Sequence, residues 1–393
     1  MTISRRGLLK TLLQGVGAGF LLGHGPAFPE DSRRDESALA PGGLTLRVVR
    51  PVDAETPAGE FVSWLTPNER FFVRSHFGPP SAESVQADTW RLTVKGFVED
   101  ALTLNLKDLR QFEEVTLTAV LQCSGNGRSH YRPQAPGVQW DRGAVGNAQW
   151  TGVRLRDLLE RAGLKPQGLH VQFQGADRPV LATVPKFIRS IPLAKALHPD
   201  TLVAYAMNGR PLPLLHGAPL RVITPGWMAE SSIKWLTEIS VRADESPGYY
   251  MQQAYRIPET SVRLSSGLPG SAMVPVERMP VKSLIAAPAD GERVRSGPVT
   301  IQGVAWAGET TVAKVEVSCD GGRSWDAARL LGEEQPHAWR QWQFVWKADV
   351  PGSVTIVCRA TDAQGEQQPA ASPWNPGGFL WNGWDRVSVT VAA

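Results

Sequence analysis

The sequence predicts an α+β domain followed by a β-sandwich of immunoglobulin type. Three observations carry this. From about residue 60 to 260, strand patterns mix irregularly with short helical ones and many prolines, which argues against a regular βαβ array. Residues 257–276 are rich in Pro, Ser and Gly and lack periodicity, as an interdomain connection would. Beyond them, short strand patterns recur at near-even spacing between turn signals.

Element by element, Trp90–Phe97 alternates like a strand. Leu106–Phe112 has helical spacing. Val115–Val120 is an apolar, β-branched run that reads as a strand. Val153–Ala162 reads as a helix closed by Gly163. Leu169–Phe173, Leu220–Thr224 and Trp235–Arg242 read as strands. In the last third the predicted strands are Lys282–Ala286, Val299–Ala305, Ala313–Cys319, Gln341–Lys347, Ser353–Arg359 and Arg386–Val391. Asp320-Gly321-Gly322-Arg323-Ser324 is the clearest turn between them. Cys319 and Cys358 fall on two of these strands, either as a pair or as two buried free thiols.

The first residues read as an address. Ser4-Arg5-Arg6-Gly7-Leu8-Leu9-Lys10 precedes a mildly apolar stretch from Thr11 to Leu22, the pattern of a twin-arginine export signal. The apolar stretch is shorter than the roughly 20 residues of a spanning helix, so no stable membrane anchor is expected. The twin-arginine route exports folded proteins, often with a cofactor already inserted. The expected organisation is a signal peptide over residues 1–27, a leader over 28–59, a first domain over 60–260 and the sandwich over 261–393, with the mature protein in the periplasm.

Composition bounds the rest. A chain of 393 residues exceeds one ordinary core. The net charge of +3 arises from 41 Lys+Arg against 38 Asp+Glu with no dominant basic run, so nucleic acid is not implied. Three cysteines make no disulfide framework.

Cys123 is the most informative residue. The strand before it delivers the thiol to Cys123-Ser124-Gly125-Asn126-Gly127-Arg128. Gly125 and Gly127 remove side chains where something approaches the backbone closely. Arg128 favours thiolate over thiol. A lone cysteine is more often a small buried hydrophobe, but the two glycines and the arginine favour a soft-metal ligand or a nucleophile and do not separate the two.

Other polar groups sit in odd places. Arg74, Ser75 and His76 lie among aromatics in Phe71–Phe77. His216 and Arg221, near Gly217, suit a phosphate or a polar heterocycle. Lys234 stands between Ile233 and Trp235, where an ammonium needs an anion. Taken singly, each also reads as an edge or core residue. Tyr249, Tyr250 and Tyr255 cluster nearby. A phosphate loop, His-Glu-x-x-His, Cys-x-x-Cys, Cys-x-x-Cys-His and Gly-x-Ser-x-Gly are all missing from the sequence.

Together these residues resemble the sulfite oxidase family of mononuclear molybdenum enzymes, in its bacterial periplasmic form, over roughly residues 60–390. Cys123–Arg128, Phe72–His76, Trp140-Asp141-Arg142-Gly143-Ala144, Trp150–Leu155 and Ile233–Leu236 carry the resemblance. It implies that residues 60–260 bind molybdopterin and that 261–393 form a dimerisation domain. It implies that Cys123 ligates molybdenum. Arg74, Arg128 and Trp140 would shape the substrate pocket, and Tyr255 would stand beside the metal. His216, Arg221 and Lys234 would hold the pyranopterin and its phosphate, with Ser75 and His76 on the same side. The implied activity is oxidation of sulfite to sulfate, with electrons passing to a separate acceptor such as a c-type cytochrome. A homodimer or a small haem subunit would be the protein partner. The family's paired arginines become Gly127-Arg128, and a substrate-holding arginine of the animal enzymes is replaced by Gly377. Both changes leave room for a larger or differently charged sulfur substrate. A sulfane-type dehydrogenase subunit, a sulfoxide reductase on the same cofactor, or an exported binding module are the alternatives.

Overall fold

The computed structural model describes residues 43–259 and 272–392. The export signal, residues 28–42 of the leader and the boundary at 260/261 lie outside the described residues. Strands dominate, contrary to the expected α+β balance. Among the described residues the α-helices are α1 (Leu106–Leu109), α2 (Leu155–Ala162), α3 (Leu193–Ala196) and α4 (Tyr249–Gln252).

The N-terminal strands are β1 (Thr45–Val48), β2 (Asp53–Glu55), β3 (Leu92–Gly96), β4 (Leu102–Leu104), β5 (Glu114–Gln122) and β6 (Val145–Arg154). They continue as β7 (His170–Gly175), β8 (Ile188–Pro192), β9 (Leu202–Met207), β10 (Arg210–Pro211), β11 (Arg221–Ile223) and β12 (Leu236–Arg242). One sheet has the order β10-β9-β6-β5, with β11 also on β9; a second has β4-β3-β12-β7-β8. In the second, β12 runs parallel to β3, so this half is no simple meander. Helix α2 closes the core between the sheets. Leu155, Leu158, Leu159 and Ala162 recur at i, i+3, i+4 and i+7 and are fully buried. Gly163 ends the helix at φ 72°, as the sequence predicts.

β1 and β2 lie inside the stretch expected to be a leader. The correction has a physical basis: Asp53, Ala54 and Glu55 are all buried and serve the chain that follows.

A hairpin of β13 (Arg256–Pro258) and β14 (Met273–Pro275) leads to the C-terminal half. There follow β15 (Lys282–Ala287), β16 (Arg293–Val294), β17 (Gly297–Trp306), β18 (Val312–Ser318) and β19 (Asp326–Ala327). The last are β20 (Arg329–Leu331), β21 (Arg340–Ala348), β22 (Gly352–Asp362) and β23 (Asp385–Val391). Sheets β15-β17-β21-β20 and β16-β23-β22-β18-β19 face each other across a core that includes Ile301, Trp342, Val315, Ile356 and Val387. Cys319 and Cys358 are both free, and the Cys358 thiol donates to Ser283 Oγ at 3.3 Å.

The halves share a core. Phe61 meets Trp339 edge-on with centroids 5.5 Å apart, among Val120, Val145, Leu284 and Trp306. Trp306 Nε1 donates to Gln122 Oε1 at 2.7 Å. The strand carrying the thiol is therefore backed directly by the C-terminal half.

Candidate active site

β5 pairs with β6 through Gln122↔Val145, and the next residue is Cys123. The turn after it is closed by Asn126 N donating to Cys123 O at 2.9 Å. Asn126 Oδ1 accepts from Ala144 N at 3.1 Å. Gly127 sits at φ 87°, and a Cβ there would lie 2.5 Å from the Trp381 ring. Cys123 is 7 % exposed and lines a cavity that opens to solvent.

The cavity brings together Arg74, Ser75, His76, Cys123, His216, Arg221, Lys234 and Tyr255. Eight of the ten residues that the sequence singles out thus share one wall. Arg128 and Trp140 do not line it. Trp140 is fully buried in the core behind Cys123. Arg128 turns away because its guanidinium has better partners: Nε donates to Gly377 O and Nη1 to Val138 O, each at 3.1 Å. It also lies 5.2 Å from the Phe379 ring centre. The close approach that Gly125 permits is Arg128 itself, whose guanidinium would meet a Cβ at 2.8 Å. Arg128 is a strut between the Cys123 loop and the C-terminal half. A Cβ on Gly377 would lie 2.2 Å from the Phe379 ring, so an arginine there requires that ring to move.

One end of the cavity is built around Arg74. Its Nη1 pairs with Asp53 Oδ2 at 3.1 Å, so the supposed leader holds a cavity residue. Arg74 Nη2 donates to His76 Nδ1 at 3.2 Å. Burial, then Arg74 and Lys234, push the His76 imidazolium well below its ordinary range, so the ring is neutral. With Nδ1 accepting, the proton resides on Nε2, which donates to Tyr255 Oη at 2.7 Å. The phenol O–H is then free to donate elsewhere. Burial pushes the Tyr255 phenol up and keeps it protonated.

The other end is cationic. Lys234 Nζ donates to Ser75 Oγ at 2.7 Å and Leu215 O at 2.9 Å, and rests 4.3 Å from the Trp235 ring centre. None of these is an anion, and burial, then Arg221, bring its ammonium down to about 7. Arg221 gives Nη1 to His216 O and Nη2 to Ser232 O, while its buried Nε has no partner. Burial lowers Arg221 to about 9. His216 Nε2 donates to Asn68 O at 2.8 Å, and burial pushes the ring down to about 3, so it is neutral. Two wall residues hold left-handed backbone, Trp235 at φ 51° and Tyr255 at φ 54°, a strain of order 1–3 kcal/mol each that tends to occur at functional sites.

Burial pushes the Cys123 thiol up, against the pull of Arg74 and Arg128. Without a further cation in the cavity the group is a thiol, not the thiolate that the loop suggests. Among the described residues no three His, Cys, Asp or Glu side chains gather as a metal site. A metal held by Cys123 must therefore bring its other ligands with it. Two carboxyls on the wall, Asp177 and Glu230, escape the sequence reading. The available signal was Glu230 in the mainly apolar run Trp227-Met228-Ala229 before Lys234.

Two family models match the chain. An oxidoreductase molybdopterin binding domain covers residues 76–250 and a Mo-co oxidoreductase dimerisation domain covers 274–392. The mitochondrial sulfite oxidase of Homo sapiens is 40% identical over 367 residues; the match covers 89% of this chain and 66% of the human protein's length. The sulfite oxidase of Arabidopsis thaliana is 33% identical over 372 residues, covering 88% of this chain and 94% of the plant protein. The crystal structure of the sulfane dehydrogenase SoxCD from Paracoccus pantotrophus matches with a TM-score of 0.77 at 26% identity, covering 100% of both chains.

Proposed function

The chain belongs to the sulfite oxidase family of molybdopterin oxidoreductases, and from this we propose that it oxidises sulfite to sulfate and passes two electrons to a separate acceptor. The observation that supports this best is the donor set: one thiol, Cys123, shares the cavity with the cations Arg221 and Lys234, and among the described residues no protein cluster completes a metal shell. This set fits a metal that arrives on a sulfur chelate with a phosphate tail. Cys123 is the one protein ligand, and a soft thiolate suits molybdenum. Arg221 and Lys234 hold the phosphate end, with neutral His216 beside them. The bound group supplies a two-electron redox centre for oxygen-atom transfer to sulfur.

Sulfite and water give sulfate, two protons and two electrons, which leave one at a time if the acceptor is a c-type cytochrome. Arg74 binds the anion and stays charged because its pairing with Asp53 outweighs the cost of its burial. The Tyr255 O–H, directed by the His76 Nε2–H, donates to an oxygen of the reacting group. The Arg74–His76–Tyr255 chain couples anion binding to that proton. Turnover is tested by sulfite-dependent reduction of cytochrome c together with molybdenum analysis. Molybdenum near one per chain with no sulfite-dependent reduction eliminates sulfite as the substrate.

A second reading, oxidation of sulfane sulfur as a subunit of a complex, draws support from the full-length likeness to the sulfane dehydrogenase and from Gly127 and Gly377. Activity only on a carrier-bound sulfane would select it. Arg5 and Arg6 support export of the folded protein to the periplasm. The two-sheet C-terminal half, read as an immunoglobulin-type dimerisation domain, supports a homodimer. A small haem subunit would serve equally as the electron exit. No helix among the described residues is long and apolar enough to cross a membrane.

A further inference from the structure

Tyr255 sits in strained left-handed backbone, φ 54°, so its place on the cavity wall has to be enforced by its neighbours. Val276 N donates to its carbonyl at 2.9 Å, and Phe379 stacks on its ring with centroids 5.3 Å apart. Both contacts are neutral. A third neighbour is charged. Arg189 lies on β8, is 1 % exposed and does not line the cavity. Its Nη1 donates to Tyr250 O at 2.6 Å and its Nη2 to Val276 O at 3.4 Å. It thereby ties the short helix before Tyr255 to the residue that holds the Tyr255 carbonyl.

The third donor, the buried Nε, has no hydrogen-bond partner. The guanidinium carbon lies over the Tyr255 ring instead, 5.5 Å from its centre. Burial lowers this guanidinium from a value so far above neutral that it stays charged. As a tie between two carbonyls alone it is a poor choice, because a full charge has to be desolvated and one donor is left over. What the charge adds is its field on the ring. A cation at a π face favours the more electron-rich form of that ring, and a phenol whose proton is partly given away is the richer one.

We propose that Arg189 is a positioning residue for Tyr255: its guanidinium seats the ring and strengthens the hydrogen bond that the phenol O–H donates. It acts through Tyr255 and touches neither substrate nor cofactor. The inference rests on the role given to Tyr255 above.

The test is a double-mutant cycle on the holoenzyme, with sulfite-dependent acceptor reduction measured per molybdenum. Arg189→Met should lower kcat roughly tenfold, the effect of a desolvated cation at a ring, and change KM less than about twofold, because Arg74 still holds the anion. In a Tyr255→Phe background the same substitution should change kcat less than about twofold, because the phenol through which it acts is gone. Arg189→Lys keeps the charge and should recover part of the loss. If Arg189→Met does not fold, Arg189→Lys in the two backgrounds makes the same comparison, and its smaller loss should likewise vanish without the phenol. A second readout needs no turnover. With isotope-labelled tyrosine, the Tyr255 ring resonance of the oxidised holoenzyme, assigned from Tyr255→Phe, should move in Arg189→Met and stay closer to wild type in Arg189→Lys. An equal loss of kcat in both backgrounds overturns the proposal and makes Arg189 a structural tie; so does an unmoved Tyr255 resonance. Wild type without sulfite-dependent turnover overturns the activity reading instead, and the resonance then decides the seating by itself.

Discussion

The seam between the two halves and the cavity beside it both bury charge, but they treat it differently. At the seam, Asp385 is 1 % exposed, and Arg142 Nη1 answers it at 2.8 Å while Ile285 N donates to the same oxygen at 2.8 Å. Arg128 spans the same boundary with its donors on carbonyls. The cavity leaves Arg221 Nε unpartnered, and Lys234 faces no anion within hydrogen-bond reach. One exception lies at the seam. Lys282 Nζ has no hydrogen bond and rests 4.7 Å from the Trp381 ring centre. The contrast teaches that the seam is finished by the chain alone, whereas the cavity is finished by what it binds. Stability should therefore depend on seam residues, and occupancy and turnover on cavity residues.

The largest expected effect is on turnover. Cys123→Ser should fold, keep its pterin within about twofold and lose activity by more than ~100-fold, since serine is a harder and far less acidic ligand. Pterin content and sulfite-dependent acceptor reduction measure the two. Near-normal turnover would remove Cys123 from the metal.

Next comes Asp385→Ala. It strands Arg142 at the seam and should cost about 3–5 kcal/mol in denaturant unfolding, the usual penalty for breaking a buried pair. The cofactor content of the folded fraction should not change. Selective cofactor loss without loss of stability would erase the distinction between the regions.

Arg128→Met should cost less, about 1–3 kcal/mol, from two lost hydrogen bonds to carbonyls. Its effect on the KM for sulfite should be smaller than that of Arg74→Met. The reverse order would place the Arg128 guanidinium in the cavity, contrary to its position here.

The smallest effect is a pH dependence. In the cofactor-free protein Lys234 is lowered to about 7, below its unfolded value of 10.5. The unfolded chain then binds more protons between these values, so stability rises with pH from about 7 upward. Below about 7 the penalty is fully present. Lys234→Met should therefore raise the melting temperature of cofactor-free protein at pH 6, with a gain that shrinks toward pH 10. In loaded protein the phosphate supplies the missing anion, and the gain at pH 6 should become a loss. A pH-independent gain in the cofactor-free protein would mean that Lys234 is already neutralised.

Much of this was legible in the chain. Short strand patterns set off by turn signals exposed all six longer C-terminal strands to within a few residues, because turn residues punctuate each strand of a sandwich. Leu155 to Gly163 declared a helix and its cap. The run into Cys123 declared a strand and a turn, and the charged residues among aromatics at 74–76, 216–221 and 234 marked the cavity wall. Periodicity was silent on β6, which is buried along most of its length and does not alternate cleanly. What only the tertiary structure decided is who meets whom. His76 and Tyr255 lie 179 positions apart, yet their bond sets the tautomer that frees the phenol proton. Asp53 reaches Arg74 from a stretch that reads as leader. Arg128 is drawn to Gly377, 249 positions away, and so leaves the pocket that its neighbour Cys123 faces. Local pattern reports which side of an element is buried; the partner of a buried charge is chosen by chain closure, which no local pattern encodes.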